Sequence, residues 1–81
     1  MIEYKSHVDE IVGDGINYEY IIAHSLQSRI LMAQIINSKT GIELDKSEYT
    51  LIRDSDNTVL IKFKSIPKKN ESFYVMLLKI K

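Results

Sequence analysis

The chain has 81 residues, 44% of them hydrophobic, with eleven basic and eleven acidic side chains and no cysteine. Fewer residues than the ~100–150 of a usual domain leave room for one core, so residues 1–81 are expected to form one small domain. The missing cysteine excludes disulfide staples, thiolate zinc sites and a cysteine nucleophile, and no run approaches the ~18 apolar residues of a membrane helix.

The first strand is expected over residues 2–12, ending at Gly13-Asp14-Gly15, where glycine supplies the positive φ that a short hairpin loop demands. Within it Glu3, Lys5, Asp9 and Glu10 interrupt any secretory signal, which makes the cytoplasm the expected compartment. Across the turn, Ile16, Tyr18, Tyr20 and Ile22 alternate with Asn17, Glu19 and Ile21, and their β-branched and aromatic character points to a partner strand. A second option begins the next helix early, near Asn17, with Tyr18, Ile21 and Ile22 extending its stripe. The helix itself is expected from about Ser25 to Lys39. Leu26, Ile30, Ala33 and Ile36 recur at spacings of three and four, Leu31 and Ile35 widen the stripe, Ser25 is placed to cap the first turn and Gly41 to end the last.

Tyr49 to Arg53 and Thr58 to Lys64 then flank Asp54-Ser55-Asp56-Asn57, short polar residues that bond back to their own backbone and tighten a reversal, so a β-hairpin is expected. Val59, Ile61 and Phe63 take its buried face; Thr58, Leu60, Lys62 and Lys64 take its solvated one. Pro67 marks a loop. Ser72 to Ile80 form the last strand, with Tyr74, Met76, Leu78 and Ile80 on one face and Phe73, Val75 and Leu77 on the other, which predicts a central place in the sheet. The expected fold class is α+β: one helix packed on an antiparallel sheet of about four to five strands, in the order β-hairpin, helix, β-meander.

Charge is divided along the chain. Residues 1–61 carry five basic and ten acidic side chains, net −5, whereas residues 62–81 carry six lysines against Glu71 alone, net +5. Edge-strand lysine accounts for much of this, because it keeps sheets from pairing with strangers; the alternative is a basic face for an acidic partner. Thirteen isoleucines, two alanines and nine lysines to two arginines are the usage that AT-rich codons produce, as in a low-GC bacterium or one of its phages.

No catalytic, metal or cofactor motif stands out. His7 and His24 lie seventeen positions apart with no short ligand spacing, His7 and Asp9 merely share a strand face, and His24 fits a structural hydrogen bond. Ser25 and Ser28 lack a nucleophile-elbow context, the three glycines are too scattered for a phosphate loop, and Asp54 and Asp56 are turn formers. Neither an enzyme nor a cofactor is expected.

What is left is binding. Lys62, Lys64, Lys68 and Lys69, with Lys79 and Lys81, gather toward the C-terminus beside Phe73 and Tyr74, the combination of cations and stacking rings that holds single-stranded nucleic acid. Only two arginines and a pI near 6.7 weigh against that reading. Tyr4, Tyr18 and Tyr20 meet on the expected first hairpin, and tyrosine is enriched at protein interfaces. Asp9, Glu10, Asp14 and Glu19 make either an acidic knob or a solvated hairpin end. The leading expectation is a small non-enzymatic protein-interaction module, a regulator or inhibitor of the bacterial or phage accessory kind. It would bind another protein, or self-associate, through Tyr4, Tyr18, Tyr20, Lys62, Lys64, Lys68, Lys69 and Phe73. Nucleic-acid binding by the C-terminal lysines is the alternative, and a membrane is not expected to be a partner.

Overall fold

The computed structural model describes residues 5–80, and strands carry it. They are β1 (Ser6–Val12), β2 (Glu19–Ala23), β3 (Leu31–Asn37), β4 (Tyr49–Ser55), β5 (Thr58–Phe63) and β6 (Ser72–Lys79). A 3-10 turn, Lys46–Glu48, precedes β4 and is capped by Asp45, whose carboxylate accepts the Ser47 N–H at 2.8 Å. Sheet A has the order β1-β6-β3 and sheet B the order β2-β5-β4, every neighbour antiparallel. The two sheets pack into a sandwich.

Two expectations hold. Tyr49–Ser55 and Thr58–Phe63 pair as the β-hairpin, with Val59, Ile61 and Phe63 buried, and β6 is the central strand of its sheet. The α+β class does not hold: no α-helix occurs among the described residues, and an all-β sandwich replaces one helix on one sheet. Residues 25–39 carry two periodicities at once. Leu26, Ile30, Ala33 and Ile36 satisfy the helical spacing, but Leu31, Ala33 and Ile35 satisfy a spacing of two, and the second lets β3 pair with β6 and turn Leu31 and Ile35 into the core. The stretch before β3 is held out of a helix by Ser25 and Gln27, whose φ values of 56° and 54° are left-handed. Its backbone donors are met from outside. The N–H groups of His24 and Ser28 donate to the carbonyls of Asn57 and Asp56, each at 2.8 Å, and Asn57 Oδ1 accepts the Gln27 N–H at 3.0 Å.

Of the two options for residues 16–23, the strand is the observed one, but the first hairpin is not. β1 pairs with β6 and β2 with β5, so Gly13–Gly15 is a crossing between sheets. The crossing docks on the β5–β6 loop: Gly13 N–H donates to the Glu71 carbonyl at 2.7 Å, Asn70 N–H to the Gly13 carbonyl at 3.0 Å and Gly15 N–H to the Pro67 carbonyl at 3.1 Å. A Cβ on Gly13 would strike the Lys68 carbonyl oxygen and come within 2.8 Å of Pro67 Cβ, so glycine is needed there for close approach of two backbones. The β-meander also gives way, because β6 leaves the β4–β5 hairpin and joins the other sheet.

The core lies between the sheets. β6 contributes Phe73, Val75 and Leu77, β3 Leu31 and Ile35, β1 Ile11, β5 Val59, Ile61 and Phe63, β2 Ile22 and β4 Tyr49. Ile35, Ile61, Leu77, Val59 and Val75 are fully enclosed, each worth roughly 1.5–3 kcal/mol of burial. Phe63 and Phe73 meet across the sandwich with ring centroids 5.2 Å apart, and Tyr20 meets Phe63 edge-on at 5.8 Å.

Candidate interaction surface

One end of the sandwich collects the crossing between β1 and β2, the β3–β4 loop and the β5–β6 loop, and most of the sequence-predicted residues fall near it. Lys64 and Lys68 line a cleft of about 600 Å3 there, with Phe63 and Phe73 at its base and Glu48 and Glu71 among its walls. Phe73 is a core residue, only 5% exposed, so its ring is covered rather than offered for stacking. Lys69 packs its backbone against Gly15. Lys62 stands apart on the outer face of sheet B, 3.5 Å from the Glu19 carboxylate, and Lys79 lies at the opposite end of the molecule. Tyr18 is half exposed. Tyr20 is partly buried and donates its hydroxyl to the Asn17 carbonyl at 3.1 Å. Tyr4 and Lys81 fall outside the described residues.

The acidic knob is a structured loop. The Asp14 carboxylate accepts the N–H groups of Ile16 and Asn17 at 2.8 and 2.7 Å and the Asn17 side-chain amide at 2.5 Å. Those donors, the Asn17 backbone N–H foremost, hold the Asp14 carboxyl at a pKa of about 2, below its usual 3.8. Because this loop docks on the one carrying Lys68 and Lys69, the acidic and basic parts of the chain become neighbours.

His24 is buried at the end of β2. Its Nδ1 accepts the Leu26 N–H at 3.0 Å, and its Nε2 has no hydrogen-bond partner. Burial, reinforced by nearby His7, lowers the pKa of its imidazole. His7 sits 3.7 Å from the Asp9 carboxylate. Among the described residues, no group of three or more His, Asp or Glu side chains is arranged to hold a metal ion.

The surface that sequence reasoning missed is the outer face of sheet A. Alternation turns Phe73, Val75 and Leu77 inward and therefore turns Tyr74, Met76 and Leu78 outward. The register places Val8 beside Met76, Met32 beside Leu78 and Ile36 beside Tyr74. Val8 is 58% exposed, Met32 57%, Tyr74 46% and Met76 41%. Glu10, beside Tyr74, is the only charged side chain that β1, β6 and β3 direct to this face. The signal for it is that β6 is apolar on both faces, and with no α-helix among the described residues to cover it the outer one stays open. Comparison with protein-family models, with curated proteins and with solved structures finds no match for this chain.

Proposed function

We propose that this chain is a small non-enzymatic protein-interaction module, a regulator or inhibitor that acts in the cytoplasm by binding another protein through the outer face of sheet A. The observation that carries the reading is that face: Val8, Met32, Ile36, Tyr74, Met76 and Leu78 surround Gln34, with Glu10 the only charged side chain from the three strands and Glu43 bridged to Ile36 at the rim. Soluble chains seldom leave such a patch without a partner, because covering apolar surface yields ~25 cal/mol per Å2. Methionine and tyrosine suit it to binding, the first by its flexibility and the second by a flat ring with a polar tip. Among the described residues, no helix is long and apolar enough to cross a membrane.

Met76→Lys places a charge at the centre of the face without touching the core. Wild-type and variant protein are immobilised, and bound protein is quantified after nuclease treatment at physiological salt, with light scattering to read self-association. A stoichiometric protein partner, or a dimer, that Met76→Lys abolishes while the melting temperature is kept supports the reading. Binding that ignores the substitution overturns it. Capture that nuclease removes and that falls steeply with salt puts the nucleic-acid reading in its place.

A further inference from the structure

β3 and β4 are edge strands of the two sheets, and a groove of about 470 Å3 runs between them. Met32, Ala33 and Leu51 supply its accessible apolar lining, above the buried Leu31 and Tyr49. Its charged lining residues are both cations, Lys46 and Arg53. Glu43 lies in the adjoining depression that leads past Met32 and Lys46 to Met76 and Leu78.

The ladders decide which backbone groups face the groove. Ile80 N–H donates to the Ile30 carbonyl and Lys64 N–H to the Glu48 carbonyl, so the even-numbered residues Met32, Gln34, Thr50 and Ile52 bond inside their sheets. Odd-numbered residues turn their peptide groups outward. On β3 most of that edge is already occupied: the Leu31 carbonyl accepts from Arg53 Nη2 at 2.9 Å, the Ile35 carbonyl from Leu44 N–H at 2.8 Å, and Asn37 N–H donates to the Ile42 carbonyl at 2.9 Å. The peptide groups of Ala33 on one wall and Leu51 on the other keep the outward direction with the groove between them.

We infer that this groove binds an extended segment of a partner protein, apolar on the side that meets Met32 and Leu51 and carrying carboxylates that meet Lys46 and Arg53. Edge backbone groups give such a segment affinity through main-chain hydrogen bonds, and the alternating side-chain direction of an extended peptide presents apolar and acidic groups to opposite sides. The two cations select the sign of its charge. This site adjoins the sheet face argued above and shares Met32 with it, but the backbone and charge argument does not rest on that face.

The test uses the full chain labelled with 15N and a capped pentapeptide, acetyl-Val-Glu-Val-Glu-Val-amide, against its counterpart with lysine in place of glutamate. Saturable shifts of the Ala33 and Leu51 amide resonances with the glutamate peptide, and an affinity at least about tenfold lower for the lysine peptide, are expected. Lys46 is exposed, so Lys46→Glu should fold normally and weaken the glutamate peptide while strengthening the lysine one. Unmoved Ala33 and Leu51 resonances at millimolar glutamate peptide overturn the inference. Equal binding of the two peptides, or indifference to Lys46→Glu, overturns it as well.

Discussion

The Nδ1 of His24 already accepts the Leu26 N–H, so the neutral ring must carry its proton on Nε2. Protonating the ring adds a hydrogen to Nδ1, which opposes the Leu26 donor and brings a charge into a site only 3% exposed. The unfolded chain has no such obstacle and takes the proton near the usual 6.5. With the folded pKa depressed, the unfolded state binds more protons below that pH, so the contribution of His24 is complete above about 6.5 and is lost as pH falls. Urea denaturation at about pH 7.5 and about pH 5 is expected to show lower stability at the acid end. His24→Asn, which keeps an acceptor near the Nδ1 position and does not titrate, is expected to be less stable at neutral pH yet to show a smaller difference between the two conditions. An undiminished difference in that variant would assign the slope elsewhere. The structural role of this histidine was readable from its lone position, but its acceptor geometry was not, because it depends on a left-handed Ser25 that nothing in a serine announces. Phe73 teaches the converse: alternation tells which residues share a side, and only the second sheet tells which side is closed.

Between Ile35 and Ile36 the helical and extended readings of β3 separate. A helix with the stripe Leu26, Ile30, Ala33 and Ile36 makes Ile36 central and Ile35 marginal. The strand buries Ile35 completely and turns Ile36 outward beside Tyr74. Ile35→Ala is therefore expected to cost about 2–5 kcal/mol in chemical denaturation, and Ile36→Ala well under half as much. Equal costs would contradict the register. The same comparison explains which elements were legible. The β4–β5 hairpin is local, its turn chemistry and alternation agree, and it was read with nearly its observed bounds. β3 was misread because its apolar residues are dense enough to satisfy both periods, and what chooses between them is pairing with β6, whose Val75 is forty positions from Ile35. The first hairpin failed for a related reason: Gly13 looks like a turn glycine, and its actual role, letting the Pro67–Lys68 backbone approach, involves a segment far along the chain.

Across the whole molecule, the division into an acidic first part and a basic last part disappears on folding. The loop of Asp14 lies on the loop of Lys68 and Lys69, and Glu19 faces Lys62. The chain achieves this by crossing between the sheets four times, so that β1, β2 and β3 all wait for partners near the C-terminus. Only β4 and β5 pair with a neighbour in sequence. Closing long loops before any contact compensates for them makes such a topology slow, and refolding is expected as a single phase in the millisecond-to-second range. The hairpin is the one place where order costs little entropy, so the transition state should contain it, with β6 docking late. Val59 on β5 and Val75 on β6 are both fully buried, so alanine at either position should cost about 1–3 kcal/mol. In stopped-flow measurements Val59→Ala is expected to show its cost mainly as slower refolding, and Val75→Ala mainly as faster unfolding. The reverse partition would mean that the β1-β6-β3 sheet assembles first and that the hairpin, despite its local signals, is carried into place by it.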